Sequence, residues 1–191
     1  MSTPLRHLPN LISALRVLMV GPIVWLLLHE HFEPAIWLFL VAGISDAVDG
    51  FLAKTFGWAS RLGGILDALA DKALLVSTFA CLWWLGVFPA WLVLWILGRD
   101  LLIIGGGVVY NSRIEKFNAE PSLVSKLNTV LQIALVALGV VHLGIEPLPQ
   151  LLLDGLMVAV AVTVFLSGAG YVLEWSRRAR AGGASHEREN D

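Results

Sequence analysis

Six long apolar stretches restrict this chain to a fold that crosses a membrane several times. They run at about 11–28, 35–53, 62–85, 90–110, 123–143 and 150–174, each close to the ~17–25 residues a helix needs to span hydrocarbon. The breaks at 29–34, 54–60, 86–89, 111–121 and 144–149 hold proline, glycine or charge, residues that end helices. Composition agrees: 57% of residues are hydrophobic and 15% charged, against about 25% charged in a soluble domain. The expected fold is all-α and integral to the membrane, with six transmembrane helices in a single domain over residues 1–175. The polar segment 176–191 reads as a disordered tail. A short interfacial helix fits residues 4–9. The first apolar stretch lacks a small-residue cleavage site and reads as a retained span.

Charge placement sets the expected orientation. Arg6, Lys54, Arg61, Arg113, Lys116, Lys126, Arg177, Arg178 and Arg180 fall at the termini or in the second and fourth connections. The first, third and fifth connections have no lysine or arginine. By the positive-inside rule both termini face the cytoplasm, in a bacterial inner or plasma membrane. Trp83, Trp84 and Trp91 gather at the third connection, where an aromatic belt or ordinary packing bulk accounts for them equally. A net charge of -2 offers no basic field for nucleic acid. Cys81 lies in an apolar run and reads as a small buried hydrophobe.

The chemistry concentrates in residues 45–72, SDAVDGFLAKTFGWASRLGGILDALADK. Acids inside membrane helices are costly, about 2.5–3.5 kcal/mol near the centre and less toward the ends, so four together need a compensating partner. Asp46, Asp49, Gly50 and Ala53 follow i, i+3, i+4, i+7 and share one helix face; Gly63, Asp67 and Asp71 share another at i, i+4, i+8. The short connection at 55–60 makes the two helices antiparallel neighbours, so the acidic faces converge at one depth. Carboxylates that close repel, and a hard divalent cation relieves the repulsion. Oxygen-only ligands favour Mg²⁺, Mn²⁺ or Ca²⁺ over zinc. Gly50, Ala53 and Gly63 leave room for a ligand, although small residues also serve close helix packing. That packing role suits the glycine run 105–107 better.

These residues resemble the CDP-alcohol phosphatidyltransferase family, whose pattern is D-x-x-D-G-x-x-A-R-x(8)-G-x-x-x-D-x-x-x-D. Asp46, Asp49, Gly50, Ala53, Lys54, Gly63, Asp67 and Asp71 occupy it at that spacing. Lys54 stands where the family has arginine, keeping the charge but losing the bidentate fork that grips phosphate. Pro9, Asn10 and Arg16 resemble the family's opening of the first membrane helix. Arg99-Asp100 resembles an R-E or R-D pair in the fourth. Ser125, Lys126, Asn128, Thr129 and Gln132 are similar to the S-K-x-N-T-x-x-Q form of CMP-forming cardiolipin synthases, against G-K-x-K-T-x-x-Q in phosphatidylglycerolphosphate synthases.

The resemblance implies a transferase of phospholipid biosynthesis that moves a phosphatidyl group from CDP-diacylglycerol to a glycerol-type acceptor and releases CMP. Phosphatidylglycerol is the favoured acceptor and glycerol 3-phosphate the alternative. It further implies a pair of Mg²⁺ or Mn²⁺ ions on Asp46, Asp49 and Asp67, with Asp71 completing or bordering the site and acting as general base. Gly50, Ala53, Lys54 and Gly63 would border the CDP together with Asp46, Asp49 and Asp67. Arg99, Arg113 and Lys126 are candidates for the acceptor phosphate, and a homodimer is expected. Arg99 lies mid-span, where an unpaired cation is expensive; the competing role is an ion pair with an acid of another helix. Asp100 looks a poor partner for it, since adjacent helical residues do not face each other. His142, Glu146 and Asp154 are expected to be solvated on the far face. A transporter is the rival from another class, because intramembrane acids also mark ion pathways. Transporter sites lie near the midplane in repeated halves, and here the acids sit near one face in a chain without a repeat.

Overall fold

The computed structural model describes residues 8–55, 61–113 and 122–187. Six helices follow one another: α1 Leu8–Leu28, α2 Phe32–Thr55, α3 Arg61–Trp84, α4 Ala90–Arg113, α5 Leu123–Gly144 and α6 Gln150–Glu187. No strand occurs among the described residues. The six expected spans each fall on one helix. Three segments are long and apolar enough to cross a membrane, Leu11–Leu28, Leu123–Gly144 and Gln150–Glu174. The other helices, α2, α3 and α4, carry Asp46, Asp49, Asp67, Asp71, Arg99 and Asp100, which lower their apolar content. Large apolar side chains such as Leu18, Trp37, Leu69, Leu101 and Phe165 stand exposed, as a surface solvated by lipid tails requires. Most of the expected interfacial helix lies outside the described residues.

One feature differs from the sequence reading. Helix α6 continues to Glu187, through the segment expected to be a disordered tail; alanines and arginines at 177–181 favour helix and extend a helix already nucleated in the apolar part. The chain groups into two compact units, Met1–Pro89 with Ile133–Leu153, and Ala90–Gln132 with Asp154–Asp191. Helices α5 and α6 each contribute to both, so no single cut in the sequence separates them.

In the first unit α1 packs on α2 and α3. Its buried stripe is Ser13, Arg16, Ile23 and Leu27, spaced to fall on one face. Ile36 and Phe39 of α2 and Leu75, Phe79 and Leu82 of α3 are buried at helical spacing too. Paired hydrogen bonds seal two helix ends. At the end of α1, His31 N–H donates to Leu26 C=O at 2.8 Å and Glu30 N–H to Leu27 C=O at 3.1 Å. At the end of α3, Val87 N–H donates to Leu82 C=O and Gly86 N–H to Trp83 C=O, both at 2.9 Å. Both are Schellman caps, which need a left-handed residue; Gly86 supplies it at φ 78° and Glu30 at φ 61°. The second cap delivers Phe88 into the core, where its ring lies 5.6 Å from that of Phe79. A Cβ on Gly139 of α5 would come within 2.8 Å of Phe88 Cζ, so a larger residue there would have to push the Phe88 ring aside.

The second unit comprises α4, the first part of α5 and most of α6. Leu92, Val93 and Ile96 of α4 and Val160 and Val164 of α6 are buried. Beside them lies a buried polar seam: Arg99 and Asp100 of α4, Asn128 and Gln132 of α5, and Thr163 and Ser167 of α6.

Candidate active site

Arg16 is 1% exposed, and its position on the buried stripe of α1 points it at α2 and α3. Its Nη1 pairs with Asp46 Oδ1 of α2 and donates to Asp67 Oδ1 of α3 at 3.0 Å. One cationic nitrogen thus gathers carboxylates from two helices. The acid side chains keep 39% and 42% of their surface, so they stay open to a ligand while the arginine does not. Asp71 lies one turn beyond Asp67 on α3, is partly exposed and takes part in further polar interactions. Asp49 lies one turn beyond Asp46 in α2, but its side chain falls outside those described. The same holds for Ala53, Lys54 and Arg113; Gly50 and Gly63 occupy helical backbone in α2 and α3.

No cluster of three or more potential ligands for a metal gathers among the described residues. The donor set that is visible suits a hard divalent cation: oxygens only, from two helices, converging on one point that a positive charge already satisfies. Two carboxylates share one guanidinium nitrogen there, and Asp71 lies one turn further along α3.

The second arginine is held differently. Arg99 Nη1 donates to Asp100 Oδ1 at 2.8 Å; its Nη2 donates to Ser125 Oγ of α5 at 2.5 Å and Ser167 Oγ of α6 at 2.7 Å. Asp100 therefore is its ion-pair partner, against the expectation from helix geometry. Rows of side chains on a helix surface diverge at adjacent positions, yet a long arginine can curl back. In a buried setting, where an unpaired cation costs most, that local pairing wins. No acid from another helix pairs with Arg99 among the described residues; hydroxyls take that place. Below the clamp, Thr163 Oγ1 donates to Asn128 Oδ1 at 3.0 Å. Lys126 is exposed on α5, next in sequence to Ser125. His142 is not simply solvated: its Nδ1 accepts from Leu148 N–H at 2.9 Å and fastens the α5–α6 connection. Cys81 is buried and free, as expected.

Sequence reasoning named Arg16 only as part of a motif and missed its role. The signal was present, since a cation inside an apolar run must find a partner. Ser125 and Ser167 carry no comparable signal, because serine is common in membrane helices for packing alone.

A family model of CDP-alcohol phosphatidyltransferases matches residues 6–167. The chain is 30% identical to a CDP-diacylglycerol–glycerol-3-phosphate 3-phosphatidyltransferase of Aquifex aeolicus, over 88% of this chain and 95% of that protein. It is 32% identical to a CMP-forming cardiolipin synthase of Rattus norvegicus, over 68% of this chain and 48% of that protein. It is also 30% identical to a CMP-forming cardiolipin synthase and mitochondrial hydrolase fusion protein of Schizosaccharomyces pombe, over 89% of this chain and 32% of that protein. The chain thus spans less than two thirds of the length of the rat and fission-yeast relatives. Identity is alike for the cardiolipin synthases and the glycerol-3-phosphate 3-phosphatidyltransferase, so similarity does not choose between them.

Proposed function

Because the chain belongs to the CDP-alcohol phosphatidyltransferase family, we propose that it transfers a phosphatidyl group from CDP-diacylglycerol to a glycerol-type acceptor and releases CMP. Phosphatidylglycerol is the favoured acceptor, as for a cardiolipin synthase, and glycerol 3-phosphate is the alternative; relatives include enzymes named as cardiolipin synthase and as glycerol-3-phosphate 3-phosphatidyltransferase. The observation that carries the reading is the convergence of Asp46 and Asp67 on Arg16 Nη1. It supports a cation-binding acidic centre built across α2 and α3.

Members of the family generally depend on a divalent metal. Here Asp46, Asp49 and Asp67 would hold it, as two Mg²⁺ or Mn²⁺ ions with Asp71 at the border. Such ions supply Lewis-acid stabilisation of charge on the donor pyrophosphate. Arg16 orients Asp46 and Asp67 from behind. Asp71 takes the proton from the acceptor hydroxyl as its oxygen attacks the phosphatidyl phosphorus. The bond from that phosphorus to the CMP oxygen breaks, and CMP leaves with the electron pair. Gly50, Ala53, Lys54 and Gly63 flank the CDP portion. Arg99, with Lys126 and Arg113, holds the acceptor phosphate; orientation of the two substrates supplies much of the rate. We place the protein in a bacterial inner or plasma membrane as a homodimer, with the acidic centre and both termini toward the cytoplasm.

The test is an acceptor panel with purified protein, CDP-diacylglycerol and Mn²⁺ or Mg²⁺. Glycerol 3-phosphate, phosphatidylglycerol, serine and inositol phosphate are offered separately, and products are identified by mass. Metal-dependent CMP release with a glycerol-type acceptor is expected. No CMP with any of the four would overturn the reading.

A further inference from the structure

Within the first unit, α1 packs on both α2 and α3, and Arg16 is its largest buried side chain. Arg16 Nη1 reaches Asp46 Oδ1 of α2 and Asp67 Oδ1 of α3, the latter at 3.0 Å. One nitrogen therefore collects an oxygen from each of two acids on separate helices. That gathering is part of the all-oxygen cluster a hard divalent cation takes. Access differs sharply between the partners: the acid side chains keep 39% and 42% of their surface, against 1% for Arg16. A dissolved ion can reach the carboxylates from their open side, whereas the arginine stays packed behind them. Any ion held by Asp46 and Asp67 then shares their charge with a guanidinium already bonded to both.

Two effects of that guanidinium oppose each other. It offsets the repulsion between the carboxylates and keeps them at one point. It also repels a second cation arriving at the same oxygens, with little water between to screen the charge. The first effect is replaceable, because α2 and α3 are each fastened to α1 by packing and a divalent ion draws the two acids together by itself. The second is not. We propose that Arg16 stands in for the divalent ion at the acidic centre, holding Asp46 and Asp67 together without it and weakening its binding when it arrives. This deepens, and rests on, the reading of Asp46 and Asp67 as metal ligands. A merely structural arginine has the opposite signature: its removal would let the acids part, and the ion would bind less well.

Binding of Mn²⁺ to the full chain in detergent, followed by the electron paramagnetic resonance of the free ion, tests the sign without recourse to turnover. Arg16→Gln, purified with Mn²⁺ and then stripped by chelator, is expected to bind Mn²⁺ at least tenfold more tightly than wild type. If that variant is not monodisperse, Arg16→Lys takes its place. Lysine keeps the charge on a shorter reach and should still bind at least threefold more tightly. Ile23→Ala loosens a buried position of α1 away from the acids and should leave the Kd within twofold. Equal or weaker binding by the arginine variant would overturn the inference, as would a gain in Ile23→Ala as large as that in Arg16→Gln. CMP release by wild type with Mn²⁺ is measured in parallel. Its absence defeats the transferase reading, whereas CMP release with the Kd order unchanged or reversed defeats only the stand-in role of Arg16.

Discussion

The two arginines buried among the described residues sit in helices of similar length and are satisfied in opposite ways. Arg16 meets two carboxylates, one from α2 and one from α3, which keep part of their surface exposed. Arg99 meets one carboxylate and two hydroxyls, so charge is balanced while donors exceed acceptors. The orphaned donors nearby, Arg99 Nε, Asn128 Nδ2 and Gln132 Nε2, lie in the same polar seam. On the proposed reading, the first centre would attract a cation and the second would receive oxygen atoms. A buried cation alone says little about function; the sign of what remains unmatched around it says more.

The sharpest way to break this contrast is at the acidic centre. Asp71→Asn is expected to lower CMP release by about 10²–10⁴-fold, the usual contribution of a general base; a rate equal to wild type would remove Asp71 from that role. Next comes Arg16→Met, which leaves Asp46 and Asp67 facing each other. Breaking a fully buried pair costs about 3–5 kcal/mol, and these acids are partly solvated, so a loss near the bottom of that range is expected in detergent unfolding. Added Mn²⁺ should then raise the stability of Arg16→Met more than that of wild type. An equal response would mean that Arg16 does not share its carboxylates with the metal.

Smaller effects are expected in the polar seam. Ser167→Ala removes one of two hydroxyls from Arg99 Nη2; a hydrogen bond to a charged group is worth about 1.5–3 kcal/mol, and Ser125 retains the contact, so the loss should fall at or below the low end. Acceptor KM should rise with it, and a fall in kcat alone would argue against acceptor binding by Arg99. Gln132→Leu discards an unmatched donor. Stability should stay within about 1 kcal/mol of wild type while acceptor KM rises. A marked loss of stability would make Gln132 part of the framework instead of the binding seam.

Much of this was legible from the chain. Apolar length located all six helices, and helical phasing placed Asp46 and Asp67 on two neighbouring helices, because both signals are local. The pairing of Asp46 and Asp67 through Arg16 was not, since it depends on which face of α1 turns inward. The rule that adjacent helical residues do not meet failed at Arg99 and Asp100, where burial outweighed surface geometry. Helix α6 outran its apolar segment because propensity, not polarity, governs propagation. His142 shows the remaining limit: a ring nitrogen capping a backbone N–H six residues on leaves no mark in a hydropathy pattern.

The close approach of Gly139 to Phe88 also bears on the order in which the protein is made. Phe88 is in place once α3 and its cap have formed, but α5 is synthesised only after the whole of α4. Until then the first three helices lack the partner that covers Phe88, and the first unit remains incomplete. The acidic centre is therefore assembled on an intermediate that must wait in the bilayer for a helix about fifty residues downstream (on the order of seconds at ~5–20 residues per second). Gly139→Val, whose Cβ would press on the Phe88 ring, is expected to prolong that wait and to lower the yield of folded protein recovered from the membrane.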